Sequence, residues 1–461
     1  MIQSSYANIG ENSVRGEPPT LASSHFNFLF LCFLLILSNI ISTSIAKKSS
    51  SSHPPIKTLV LPVTKVHYYP GPDQYVIKIK QRTPLLPIKL TIDLGLDNPF
   101  MHCDQAYVSS TYKPINCSSP VCSYANYPFE YCSNCPNGGV LNTPGCHDNT
   151  CQAYSINNIG GRPGSGELFQ DIVSVKSIDG RSVSVPNFLF ICSHTGSLLK
   201  LANDVQGMAA FGVSNISFPY QFTAAFGLEK KFAICLSPSE KSNGVIFFGN
   251  GPYVLQPGID VSMSLTYTSL ITNYFVKEYY LLLKAIKING KFVPSDKWQY
   301  KLTFDYDKGG NGGTKIGTLL PYTVMESDIF SSVVDEFVKA LGKNIPRVAN
   351  VAPFDVCFNS TGIARSRLGP AVPTIELVFQ NKAVWKIFGA NSMVQAAKDV
   401  MCLAFVSKKE GFWSTAAIEI GGYLLEDNLI QFDLDNNRVG FSSSLLSKQT
   451  SCSNFKYTNH A

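Results

Sequence analysis

Apolar and polar residues change places in short runs along most of the chain. Tyr75-Val76-Ile77-Lys78-Ile79-Lys80 alternates in part with a period of two, the pattern of a half-buried strand, and residues 88–94 form a denser apolar run. Further strand-like runs fall at 168–175, 187–192, 279–288, 375–379, 400–406, 417–421, 430–434 and 438–441. Helical spacing is confined to 221–226 and 327–341, the second with Ser327 as the expected N-cap. The runs are punctuated by turn residues, with 34 Gly and 27 Pro, so the pattern predicts a mostly β protein.

One stretch breaks the rhythm. Residues 26–41 are almost continuously apolar and lead to Ser44-Ile45-Ala46, a small-x-small cleavage site, which predicts a signal peptide over 1–46. The stretch is short for a membrane span, and no later segment is long and apolar enough for one, so no transmembrane segment is expected in the mature chain. Residues 47–55 lack periodicity and read as a flexible mature N-terminus. A single core stops growing near about 250–300 residues, so 461 residues imply two lobes. The turn-rich run from Phe247 to Gly258 divides them into 56–251 and 252–461.

Composition narrows the function. The net charge of +6 is mild and is not gathered into a Lys/Arg run, which argues against nucleic acid as a partner. Thirteen cysteines include Cys32 within the apolar stretch. The remaining twelve, Cys103, Cys117, Cys122, Cys132, Cys135, Cys146, Cys151, Cys192, Cys235, Cys357, Cys402 and Cys452, predict six disulfides in an oxidising compartment. Their connectivity is open at this stage. Cys132-Ser-Asn-Cys135 has zinc-knuckle spacing, but without paired histidines, so no metal is expected. Sequons at Asn116, Asn215 and Asn359 fit the secretory route and an extracellular location.

The motifs carry more. Leu90-Thr91-Ile92-Asp93-Leu94-Gly95 resembles the first active-site turn of pepsin-like aspartic proteases, with Phe100-Met101-His102-Cys103 following as in plant members. Gly207-Met208-Ala209-Ala210-Phe211-Gly212 and Ala417-Ile418-Glu419-Ile420-Gly421-Gly422 resemble the two strands that thread behind the active-site turns. Ile430-Gln431-Phe432-Asp433 and Arg438-Val439-Gly440-Phe441 resemble the closing strands. The resemblance covers nearly the whole mature length and implies a bilobal, pepsin-like fold that takes no cofactor. In that family two carboxylates share a proton and activate a water between them.

This chain departs from the pattern. Lys315-Ile316-Gly317-Thr318-Leu319 stands where the second Asp-Thr/Ser-Gly turn belongs, which puts Gly317 at the second aspartate's position. The distance from Gly317 to Gly421 is comparable with that from Asp93 to Gly212. Leu94 replaces the hydroxyl residue that helps lock the turns together. Asp93 then reads as a structural remnant accepting backbone N–H bonds. Asp305 and Asp307 offer another second carboxylate, but they are expected in a solvated hairpin. By the resemblance Tyr154 falls at the flap-tyrosine position, but Tyr154-Ser-Ile-Asn-Asn departs from the usual glycine-rich flap, and the residue reads as a packed or exposed tyrosine.

Within the superfamily, Gly313-Thr314-Lys315-Ile316, Phe354-Asp355-Val356-Cys357-Phe358, Leu368-Gly369-Pro370 and Glu426-Asp427-Asn428-Leu429 are similar to a catalytically altered plant group. It contains extracellular dermal glycoprotein, basic 7S globulin and the TAXI-type xylanase inhibitors. The resemblance implies an apoplastic inhibitor of secreted microbial glycoside hydrolases, xyloglucan-active endoglucanases ahead of xylanases. It also admits a residual endopeptidase, and a ligand-binding or storage glycoprotein. Glycosidase clefts present paired carboxylates that a protruding cation can plug. Arg365, Arg367 and Lys448 are the candidate contacts. In the xylanase-inhibitor branch a histidine stands four residues before the corresponding cysteine, so Lys448, four before Cys452, is a departure.

Overall fold

The computed structural model describes residues 55–103, 107–125, 131–135, 142–272, 277–305, 310–411 and 414–458. The expected signal peptide and most of 47–55, Cys32 and Asp307 lie outside the described residues. Alternation decides the local structure. In the strand Gln74–Gln81, Ile77 and Ile79 face the core while Lys78 and Lys80 are exposed. Its partner Leu86–Asp93 pairs antiparallel from Gln81↔Leu86 to Val76↔Thr91. The predicted strand at 279–288 is interrupted: Tyr279–Leu281 joins one sheet, and Leu283–Ile288 pairs with Ile375–Phe379 in another.

Most strands join one sheet of 20 that draws on both halves of the sequence. The central seam is Lys231–Cys235 against Leu429–Asp433, in register from Lys231↔Asp433 to Cys235↔Leu429. Across it Phe232 and Phe432 stack at 4.6 Å between centroids. Apolar burial and ring packing along this seam join the halves, and Ile56–Ala461 forms one compact unit.

The helix Ser327–Leu341 buries Ile329, Phe330, Val333, Val334 and Phe337 along one stripe. It begins one residue earlier than expected: Glu326 is the N-cap and makes no side-chain cap bond, so Ser327 is the first helical residue. Six disulfides pair Cys103 with Cys192, Cys117 with Cys132, Cys122 with Cys151, Cys135 with Cys146, Cys235 with Cys452, and Cys357 with Cys402. The two thiols of the C-x-x-C segment go to different partners, so the segment is no zinc knuckle. Cys235–Cys452 ties the C-terminal end to the central sheet across 217 residues. Among the described residues, no helix is long and apolar enough to cross a membrane.

Candidate functional site: a centre with one turn aspartate

Each half threads a strand behind a turn that is itself largely buried. Gly207–Ala210 runs parallel to Leu86–Asp93 and sets Ala210 beside Asp93. In the second half, Ile418–Ile420 runs parallel to Thr314–Ile316, and Gly317 N–H donates to Ile420 O at 3.0 Å. A Cβ on Gly212 would lie 2.7 Å from Leu96 O, and one on Gly421 2.8 Å from Leu320 O. Leu96 follows Asp93 by the same spacing as Leu320 follows Gly317. Glycine is required at both crossings because backbone passes where a side chain would start.

The turns meet through one hydroxyl. Thr318 Oγ1 donates to Ile92 O at 3.0 Å, whereas Leu94, at the matching place in the first turn, is a buried core side chain. Asp93 is 3% exposed. Its Oδ1 accepts from Gly95 N–H at 2.8 Å, and its Oδ2 accepts from Asn158 Nδ2 at 2.7 Å. Asn158 lies at the tip of the hairpin formed by Thr150–Asn157 and Arg162–Ser177. Asn157 braces that tip, accepting from the N–H groups of Ile159 and Gly160 and donating to Ser197 O and Leu199 O. The flap is therefore latched onto the remaining turn aspartate. Tyr154 belongs to the same hairpin, but its side chain is 54% exposed.

Burial pushes the Asp93 carboxyl up to about 6, against the pull of Gly95, Asn158 and Lys315, while Glu278 adds to the rise. At Gly317 there is no second carboxylate. A Cβ there would come 3.3 Å from Glu419 Oε1, so the threading strand's own acid occupies the space beneath. Lys315 is paired in register with Glu419, and its Nζ lies 3.5 Å from Glu419 Oε1 and 2.6 Å from Glu278 Oε1. Burial lowers the Lys315 ammonium, but Glu419 and Glu278 outweigh it and the pKa rises. Burial raises Glu419 against the pull of Lys315, and pushes Asp97 up to about 7 despite Lys277 at 3.3 Å. Each of the other acids near the centre thus faces a lysine.

Lys315, Glu278, Glu419, Asp97 and Asn158 were not singled out in the sequence. A signal existed for two of them: Lys315 and Glu419 each interrupt an apolar strand, and the expected threading sets those strands side by side. The other candidates lie elsewhere. Asp305 pairs with Asn311 in a separate two-stranded ribbon. Arg365 and Arg367 are exposed on the tight hairpin of Arg365–Ser366 and Gly369–Pro370, with Arg367 in its turn. Lys448 is folded back and half-buried, donating to Ser264 Oγ, and burial lowers its pKa. Asn116, Asn215 and Asn359 all reach the surface at least in part. Asn116 and Asn359 spend Oδ1 on the hydroxyls of Ser118 and Thr361, at 2.8 and 2.7 Å. Among the described residues, His67, Asp73 and Glu240 bring possible metal-ligand atoms within 4.8 Å, but Asp73 already holds His67 at 2.7 Å and Lys65 at 3.3 Å. Beside the flap, a mainly apolar cavity of about 290 Å³ is lined by Tyr68, Pro70, Asn158, Ile159, Leu319 and Leu320.

Family models match on both sides of the central seam: xylanase inhibitor N-terminal over 75–250 and xylanase inhibitor C-terminal over 278–443. The chain belongs to the xylanase-inhibitor family. Within it, the chain is 45% identical over 450 residues to a Nicotiana benthamiana protein named probable aspartic proteinase GIP2, covering 94% of this chain and 98% of that one. It is 42% identical over 435 residues to gamma conglutin 1 of Prunus dulcis, covering 93% and 96%. Among solved structures it is similar to EDGP, at 44% identity and TM-score 0.82, covering 88% of this chain and 99% of that one. Basic 7S globulin from soybean follows at 34% and 0.75, covering 88% and 100%. The aspartic proteinase of Irpex lacteus shares the fold at 14% identity and TM-score 0.54, covering 86% and 99%. The fold is therefore the bilobal pepsin-like one.

Proposed function

We propose that this family member is a secreted, catalytically silent aspartic-protease homologue that inhibits microbial cell-wall glycoside hydrolases, xyloglucan-active endoglucanases first among them. The observation that carries the reading is the centre with a single turn aspartate. Asp93 is capped by the flap, Gly317 has no functional group, and the nearby Glu278 and Glu419 both face the Lys315 ammonium. A water between two proton-sharing carboxylates has no place to form there. The apolar leader and six disulfides support secretion into the apoplast, and Asn116, Asn215 and Asn359 are its glycosylation candidates.

The inhibitory contact is assigned to the Arg365–Pro370 hairpin. Arg367 projects from a short turn, and its guanidinium stays charged and can bond both oxygens of a glycosidase carboxylate. Lys448 is the weaker candidate because its ammonium is drawn back toward Ser264. Purified protein should inhibit at least one secreted endoglucanase or xylanase stoichiometrically. Arg367→Glu, checked for folding by circular dichroism, should raise the inhibition constant about 30-fold or more through faster dissociation. Failure of the wild type against a broad panel sinks the inhibitor reading; an unchanged constant for the variant removes only the Arg367 contact. A residual peptidase is the second reading, favoured by Asp93 with its raised pKa and by a relative's name. Acid proteolysis blocked by pepstatin and abolished by Asp93→Ala would establish it. The names gamma conglutin and basic 7S globulin favour a storage or ligand-binding role, marked by peptide affinity without glycosidase inhibition.

A further inference from the structure

A second concavity of about 430 Å³ shares no lining residue with the cavity beside the flap. It forms where the 3-10 turn Gln299–Leu302 and the Phe304–Asp305/Asn311–Gly312 ribbon approach Glu326, Lys408 and Thr415. Its wall is tied by one backbone and one side-chain bond: Gly312 N–H donates to Thr415 O at 3.0 Å, and Thr415 Oγ1 donates to Gly310 O at 3.1 Å.

The floor is ionic but balanced. Lys301 Nζ lies 2.7 Å from both Glu326 Oε2 and Asp328 Oδ2, and Lys408 Nζ lies 3.9 Å from Glu326 Oε1. Two ammoniums thus meet two carboxylates, with Asp305 adding one negative charge on the ribbon. Among the described residues the charges nearly cancel, which gives no strong field to a charged ligand, yet the floor is too polar for an apolar one. With Lys408 Nζ also donating to Ala416 O at 3.3 Å, each lysine keeps one N–H donor and each carboxylate oxygen unused lone pairs, and the cross-pairing holds them in place before anything binds. Above the floor, Thr303, Asn311 and Thr415 are exposed, and Tyr300 is 71% exposed at the rim.

We propose that this groove binds an uncharged oligosaccharide, with Tyr300 as its stacking platform. A pyranose ring has an apolar C–H face that matches an aromatic face, and a rim of hydroxyls that each donate and accept. The groove supplies both kinds of surface, and its volume lies within the range of small-molecule sites. The site is separate from the Arg367 hairpin and does not rest on the inhibitor reading.

The test is calorimetric titration of the full secreted chain with cellohexaose, xylohexaose and a xyloglucan heptasaccharide, with trigalacturonic acid as the anionic comparison. At least one neutral sugar should bind saturably with a sub-millimolar dissociation constant. Tyr300→Ala should weaken that binding about 10-fold or more, Tyr300→Phe should retain it, and Arg367→Glu should leave it unchanged. Tyr300 is exposed enough for its variants to fold, which circular dichroism checks. The proposal is overturned if no neutral sugar binds, if Tyr300→Ala binds as the wild type does, or if trigalacturonic acid binds more tightly than every neutral sugar.

Discussion

Replacing Asp93 by asparagine asks directly what the remnant aspartate now does. Its ordinary carboxyl pKa is 3.8, and in the fold it stands at about 6. The folded state therefore binds more protons than the unfolded state between those values, and stability contributed by this group falls as pH rises through that window. A shift of about two units at about 1.4 kcal/mol each means that, above pH 6, the buried charge costs roughly 3 kcal/mol relative to its neutral form. Asp93→Asn removes the charge. The amide oxygen can still accept from Gly95 N–H, but the amide NH2 then faces the donor Asn158 Nδ2, so Asn158 must turn its carbonyl inward to accept. Allowing about 1 kcal/mol for imperfect exchange, the variant should be about 2 kcal/mol more stable than the wild type at pH 7.5. Below pH 4 the charge cost is gone and only the exchange penalty remains, so the variant should be about 1 kcal/mol less stable than the wild type. Guanidinium denaturation of both proteins, disulfides intact, at pH 3.5, 5 and 7.5 reads this difference and cancels the titrating groups that do not feel Asp93; Asp97 and Lys315, which do, stay within it. A variant less stable at pH 7.5, or a difference that does not change with pH, refutes the picture of Asp93 as a strained structural remnant.

Gly317→Asp should not create a protease, because its side chain starts 3.3 Å from Glu419 Oε1 and adds a third acid around Lys315; pepstatin-sensitive acid proteolysis by that variant would contradict this. Lys315→Met should cost about 3–5 kcal/mol in denaturant at pH 7, since it strands two carboxylates, and adding Glu419→Gln should recover part of the loss. A cost under about 1 kcal/mol would mean water already reaches the cluster. Asn158→Ala should release the flap, seen as faster amide hydrogen exchange over 150–165 with the rest of the chain unchanged; equal exchange would show that Asn157 alone holds the tip.

Much of the architecture was legible in the chain. The period-two runs marked the strands, and Asp93, Gly212, Gly317 and Gly421 set the two threaded turns in register, because backbone crossings leave no room for a Cβ and glycine records that locally. The even complement of cysteines outside the apolar stretch 26–41 predicted six disulfides but not their partners, since pairing depends on which loops the sheet brings within reach. The identity of Gly317 likewise told that a carboxylate was missing, but not what had taken its place. Only the tertiary structure sets Lys315 between Glu419, its partner across parallel strands, and Glu278, which lies just before the neighbouring strand Tyr279–Leu281. Only the tertiary structure carries Asn158 from a flap 65 residues downstream onto Asp93, and folds Lys448 back while leaving Arg367 at the end of a turn. Periodicity and backbone sterics are properties of neighbouring residues and can be read from order alone. Ion pairing and burial are decided between segments distant in sequence, and they exist only once the sheet has chosen its neighbours.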